Sequence, residues 1–466
     1  MSRAATDSVT AATPFAGADT VVGQAARWAV AWRARSLEPA LRHHAKRALV
    51  DWSAATLAGA AAPPAALLER AFAGEIGHGD ARLVRGPRAP ARLAALVNGS
   101  AAHTAEVDDI FRDAIFHPGA PTIAAALALA AARELDGAGL LRAVIVGYEI
   151  CTRIGVTMGR AHYARWHSTG TIGSFGAAAA AAEVLRLDEE RFAHALATVA
   201  TFAAGLQQAF RSDSMSKPLH AGRAAEAGVT AALAAAQGVT GALDILEGEV
   251  GFGRSLGAGP GWDDCMATLG RDFHIARMTF KNHACCGHTF AAIDGALALR
   301  ARMGVSAEEI ETVDVATYGE ALHVAGHTDP RTAAEARFSL PFVVATALRH
   351  GSVRLAAFEP ARLADPALRA LMARVRIAVD PQLDAAFPAQ RAARVAIRTR
   401  SGAHDALLQP TRKGDPDAPL SDEDLSDKFL ELAAPVCGAA PAAALLSRLW
   451  AADGLRAAGD LFAPAS

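Results

Sequence analysis

Three basic residues stand where three helices should begin: Lys217 before Pro218 in "DSMSKPLHAGRAAEAG", His117 before Pro118 in "FRDAIFHPGAPTIAAALALAAA", and His167 before Ser168 and Thr169 in "WHSTGTIGSFGAAAAAA". Proline suits a helix start because it has no N–H to lose there, so the Lys-Pro step predicts Lys217 as an N-cap. Helix-start amides already carry partial positive charge, and a cation beside them is repelled unless an anion binds both. A carboxylate fits that description. The same helix dipoles would hold His117 and His167 neutral, ready to act as bases. A single Lys-Pro or His-Pro is usually a surface feature; three together describe an anion pocket with proton-transfer groups.

Two further stretches are rich in reactive side chains. "NGSAAHTAEVDDIF" crowds His103, Glu106, Asp108 and Asp109 into one or two helical turns. Such a group can ligate a divalent metal or orient a histidine. Its spacing matches no strong ligand pattern of the H-E-x-x-H kind, so the sequence favours the orienting role and no metal. "KNHACCGHTFAAIDG" offers Lys281, His283, Cys285, Cys286 and His288 where a strand gives way to a helix. Vicinal cysteines seldom share one metal, and an iron–sulfur cluster needs several well-placed thiolates. A site without a cofactor is the expectation.

Composition narrows the classes. The chain has 466 residues with 52% hydrophobic side chains, enough for a large core and more than one domain. Lys plus Arg (46) nearly balances Asp plus Glu (48), so no basic face for nucleic acid or anionic lipid is indicated. Five scattered cysteines form no disulfide framework and point to a reducing cytoplasm. The longest apolar runs, such as "APTIAAALALAAA", fall short of the roughly 20 residues a membrane span needs. The first twenty residues lack the features of a signal or transit peptide and read as a tail.

The elements that must position these residues change character along the chain. From about 20 to 270 the sequence is Ala-rich, with Leu, Val and Ile at helical spacing. Strand-like alternation is confined to about 271–404, in "ARMTFKNH", "IETVDVATYG", "VRIAVD" and "ARVAIRTRSG", with helical patterns at 285–302 and 333–350. Ser306 and Glu309 suggest a short capping box before the second strand. Helical pattern resumes after 405, where Ser421 and Asp424 form a cap and Pro435 should break the helix. The expected fold is mainly α: a large helical domain from 1–270 and 405–466, carrying an inserted α+β lid domain at 271–404.

Taken in order, "NGSAAHTAEVDD", "HPGAPTIAAALA", "WHSTGTIGSFGAAAAAA", "MSKPLHAGRAAEAGV", "KNHACCGHTFAAID", "EARFSLPFVVATAL" and "LSDEDLSDKF" resemble the MmgE/PrpD family over nearly the whole chain. That family includes 2-methylcitrate dehydratases, cis-aconitate decarboxylases and iminodisuccinate epimerases. The resemblance implies a homodimer with an interdomain site that requires no metal. It places active-site histidines at His117 and His167, a substrate-binding lysine at Lys217 and a lid tyrosine at Tyr318. His103, Glu106, Asp108, Asp109, Lys281 and His288 are the expected substrate-binding residues. Two departures stand out: the first acidic position of the family's D-x-D-D block is Glu106, and the lid motif reads "CCGHTF" rather than C-C-G-F-T-H. The implied activity is a cofactor-independent lyase on a small di- or tricarboxylate, foremost a 2-methylcitrate-dehydratase-like hydro-lyase. Epimerase and decarboxylase chemistries are the alternatives; a non-catalytic carboxylate-binding protein and a metal-dependent hydrolase are the rivals from other classes.

Overall fold

The computed structural model describes residues 15–210 and 214–463. The first fourteen residues of the expected amino-terminal tail therefore lie outside the description. The chain is mainly α, as its Ala-rich pattern predicts. The helices that build and frame the site are α1 (Val21–Trp32), α2 (Pro39–Ala60), α3 (Ala91–Thr104), α4 (Gly119–Ala130), α5 (Gly137–Tyr163), α6 (Ser168–Val184), α7 (Glu189–Ala200) and α8 (Ser216–Ala236). After α8 come α9 (Phe290–Met303), α10 (Leu340–His350), α11 (Asp422–Cys437) and α12 (Ala439–Trp450).

At the centre lies α6, every residue of which is buried. A helix buried on all sides has no solvent face, and the run Ala177–Ala182 lets α4, α5 and α8 pack closely around it. Crossing of α3 and α8 brings the acidic stretch to the lysine. A side chain at Gly222 would collide with the Leu96 carbonyl oxygen, so glycine is what permits the approach.

Sheet structure is small. A two-residue ribbon, β1 (Ala81–Arg82) with β2 (Arg88–Ala89), precedes the main sheet, whose strands are β3 (Ile310–Thr317), β4 (Val375–Val379), β5 (Ala393–Thr399) and β6 (His404–Gln409). Their order is β4-β3-β5-β6, with β3 parallel to β4 and the other neighbours antiparallel. Valines and isoleucines of β3 and β5 alternate into the core under α9, the period-2 pattern that identified them.

Several local expectations need correction. The sheet continues beyond residue 404, because β6 pairs residue for residue with β5, from Ala393 with Gln409 to Arg398 with His404. "ARMTFKNH" forms no strand; only Thr279 bridges, to Ile110, in both directions (2.8 and 2.9 Å). Ser306 and Glu309 do bond (2.8 and 2.9 Å), but on a turn rather than a helix start. Pro435 does not break α11, which is capped by Ser421 and Asp424 and runs on to Cys437. Through α11 the C-terminal segment returns to pack on α2.

Candidate active site

The loop after α3 carries the acids. Glu106 sits at φ 59°, a left-handed conformation uncommon for a non-glycine residue, and turns the chain back at the end of α3. Its carboxylate pairs with Lys217 from α8, and Lys281 Nζ lies 3.5 Å from Oε2 and donates to the Glu106 carbonyl at 2.8 Å. Burial alone would raise the Glu106 carboxyl. The two lysines outweigh it and hold the group well below the usual carboxylate range. The Thr279–Ile110 bridge sets Lys281, two residues on, against this loop.

Asp108 is buried at the junction of two histidines. His103 Nδ1 is 2.7 Å and His117 Nδ1 3.1 Å from the same oxygen, Oδ2. Burial would raise this carboxyl too, but His117 and His103 hold it well below its ordinary range. The neighbouring Asp109 faces the other way. It accepts from the Tyr148 hydroxyl (2.7 Å) and the Gly119 amide (3.2 Å), which makes it part of the framework and takes it away from the lysines.

Four imidazoles form a continuous series. The rings of His117 and His103 are edge-on at 4.6 Å, those of His103 and His167 are stacked at 5.3 Å, and His167 Nδ1 reaches His220 Nδ1 at 3.0 Å. Phe210 covers His167 edge-on at 4.8 Å and lies 5.1 Å from the Lys217 ammonium. Burial drags His103 down to about 4, more than Asp108 restores. Burial first, then the charges of His103, Lys217 and His220, push His167 well below its ordinary value. The neutral imidazole expected of His167 from a helix dipole thus has desolvation as its principal cause.

The helix starts also differ in detail. His167 is the N-cap of α6, but Lys217 is the second residue of α8, capped by Met215, and Pro118 rather than His117 caps α4. Pro218, the third residue of α8, is tolerated because the first four amides of a helix have no intrahelical partner to lose.

Tyr318 and His288 bond to each other, hydroxyl to Nδ1 at 2.9 Å, and the tyrosine ring stacks on Phe387 at 4.5 Å. Burial lifts the Tyr318 hydroxyl despite Arg391 and Arg412 nearby, and burial with the same arginines pushes His288 down to about 3. Among the described residues no hydrogen bond or ion pair joins this couple to Lys217 or to the four histidines. His283 bonds Asp294 at 2.8 Å, and burial pushes the Cys285 thiol up to about 12, so neither looks toward the lysines as a reactive group.

His103, Asp108 and His117 bring ligand atoms within 4.8 Å of one another, the spacing a cation could use. Asp108 Oδ2 already lies 2.7 Å from His103 Nδ1 and 3.1 Å from His117 Nδ1, so a cation there would displace these contacts.

Two residues escaped the sequence reading. His220 follows Lys217 by three positions on one helix, a spacing that puts both on one face and could have revealed it. Lys428 of α11 had no such signal. It is buried, bonding Asp51 Oδ1 and the Val107 carbonyl at 2.6 Å each, and so clamps the acidic loop from behind.

A mainly helical body, a small mixed sheet and a buried histidine–carboxylate–lysine cluster agree with the family that the sequence blocks resemble. The chain belongs to the MmgE/PrpD family: the model of its N-terminal domain matches residues 23–264 and that of its C-terminal domain residues 283–451. It is 28% identical over 357 residues to human cis-aconitate decarboxylase (73% of this chain, 72% of the relative). It is 29% identical over 365 residues to the Mus musculus protein of the same name, with the same coverage. The cis-aconitate decarboxylase-like protein oryM of Aspergillus oryzae is 25% identical over 378 residues, covering 75% of this chain and 76% of that protein. No helix among the described residues is long and apolar enough to cross a membrane.

Proposed function

We propose that the protein is a lyase acting on a small di- or tricarboxylate, and that the reaction is loss of carbon dioxide from an unsaturated tricarboxylate of the cis-aconitate kind. The observation that carries this reading is the meeting of Lys217 and Lys281 on one side of Glu106 with the His103–Asp108–His117 group two residues along the same loop. The named relatives support the choice of decarboxylation over the hydro-lyase reaction expected from the sequence.

In this reading a substrate carboxylate shares the two ammonium groups with Glu106. The carbon–carbon bond to a second carboxylate breaks, carbon dioxide leaves, and the electron pair moves across the existing double bond. Lys217 and Lys281 stabilise the negative charge that develops beside the bound carboxylate, a contribution often of several kcal/mol in a closed site. The far carbon then takes a proton from an imidazole. His117 is our candidate, since its Nδ1 lies 3.1 Å from the Asp108 carboxylate, and His167 with His220 returns the proton from solvent.

A second reading is the hydro-lyase. The Tyr318–His288 couple favours it, because dehydration needs a further donor for the departing hydroxyl. Incubation with cis-aconitate, citrate and 2-methylcitrate in deuterated water, followed by proton NMR, tests both. Decarboxylation yields one new methylene product carrying a single deuteron and one equivalent of carbon dioxide. Water loss from 2-methylcitrate without carbon dioxide would replace the first reading by the second, and no turnover of any of the three would overturn both. The homodimer implied by the family is tested by light scattering at micromolar concentration.

A further inference from the structure

A cavity of about 380 Å³ is lined by residues of both the helical body and the sheet domain and by none of the four histidines. Its charged lining is Arg112 and Arg160 from the helical body and Arg391 and Arg412 from the segments flanking β5 and β6, with Asp113, Asp415 and Asp417. The carboxylates are already taken. Arg412 holds Asp415 with two bonds (2.7 and 2.8 Å) and spends its remaining nitrogen on the Gly287 carbonyl at 2.9 Å. Arg112 binds Asp417 at 3.0 Å, and Asp113 lies between Arg112 (3.8 Å) and Arg277 (4.0 Å).

That leaves Arg160 and Arg391, for which no ion pair or side-chain hydrogen bond is formed among the described residues. Arg391 is half-buried, and burial together with repulsion from Arg412 lowers its guanidinium below the ordinary value. Such a charge is costly without a partner. Beside Arg160, Gly159, at φ 60° and ψ −159°, occupies a conformation open essentially only to glycine and redirects the end of α5. This sets the Arg160 guanidinium 5.6 Å from the Phe387 ring. Ile115, which also lines the cavity, is a β-branched residue at φ 52°, a second strained position here.

We propose that this cavity is a second anion site, in which Arg160 and Arg391 together bind a small polyanion bearing at least two carboxylate or phosphate groups. Two planar forks lining one cavity, neither paired among the described residues, match a ligand with two oxyanions better than a single monoanion. Because one fork belongs to the helical body and the other to the sheet domain, the ligand joins the two. The proposal stands independently of the reaction assigned above.

Isothermal titration calorimetry with citrate, and separately with inorganic pyrophosphate, tests it. Wild-type protein should take up two equivalents of at least one probe, and the tighter probe at the second site distinguishes carboxylate from phosphate ligands. Lys217→Met should lose one equivalent and keep the other. Arg160→Met/Arg391→Met should show the reverse, and Arg160→Lys/Arg391→Lys, which keeps charge and packing, should weaken that equivalent by roughly tenfold. Melting curves without ligand confirm that each variant is folded. A single equivalent in wild type that disappears with Lys217→Met, or a second equivalent unchanged in both arginine pairs, overturns the proposal.

Discussion

Nδ1 of His167 and Nδ1 of His220 lie 3.0 Å apart, so one ring must donate the proton and the other must accept it. His167 is 3% exposed whereas His220 is partly open to solvent, and burial lowers both rings, so the shared proton sits between two imidazoles that resist becoming cations. That is the arrangement of a relay. His220→Ala should lower kcat by about 10- to 100-fold with a smaller change in KM, and added imidazole, entering the space left, should restore part of it. A variant whose KM rises while kcat holds would make His220 a binding residue instead.

Lys217→Ala should raise KM and lower kcat together, about 10²- to 10³-fold in kcat/KM, since its charge acts on bound carboxylate and more strongly as negative charge develops. Glu106→Gln separates the ion pair from the loop geometry. It frees both lysines while keeping an amide of the same shape, and should tighten carboxylate binding, read as a lower inhibition constant for citrate.

His117→Gln and His167→Gln should each lower turnover by about 10²- to 10⁴-fold with little effect on ligand binding, because an amide can hydrogen-bond but cannot transfer a proton near neutral pH. Deuterium incorporation into product and recovered substrate assigns the roles. Wild-type turnover in both variants would remove the histidines from the mechanism.

Lys428 and Asp51 are both buried, and the ammonium also holds the Val107 carbonyl beside the acidic loop. Lys428→Met leaves an unpaired buried carboxylate and should destabilise the fold by about 3–5 kcal/mol in urea titration. Lys428→Met/Asp51→Leu should recover much of that stability but not the activity, because the Val107 anchor is still lost.

Acid stability should fall in two stages. The fold keeps His103 neutral down to about 4 against an ordinary 6.5, so its contribution is complete above about pH 6.5 and is lost as pH falls toward 4. Glu106 and Asp108 are depressed as well; their contribution is present above the ordinary carboxylate range and is lost only at lower pH, as they become protonated. His103→Gln should flatten the first stage of a midpoint-versus-pH curve by up to roughly 3 kcal/mol and leave the second. Asp109 opposes the trend: burial beside Asp51 raises its carboxyl well above the usual range, so its contribution shrinks as pH rises. Asp109→Asn should therefore cost least near neutral pH.

Residue type and spacing along the chain determined the helical character, the β3, β4 and β5 strands, and the local groups His103 to Asp108, His117, His167 and Lys217. These are local properties, carried by 3.6- and 2-residue periods and by what a proline or a buried alanine run permits. Only tertiary structure decided which of those groups meet. Lys217 pairs with Glu106 across 111 positions, Lys281 reaches the same residue's carbonyl across 175, and Lys428 reaches the Val107 carbonyl across 321. The direction of adjacent side chains was equally invisible, since Asp108 turns to the histidines and Asp109 to Tyr148 although nothing in "VDD" distinguishes them. Partnerships at such separations depend on how helices cross and where glycine allows close approach, and burial, which sets the protonation of His103 and His167, exists only once the chain has closed around them.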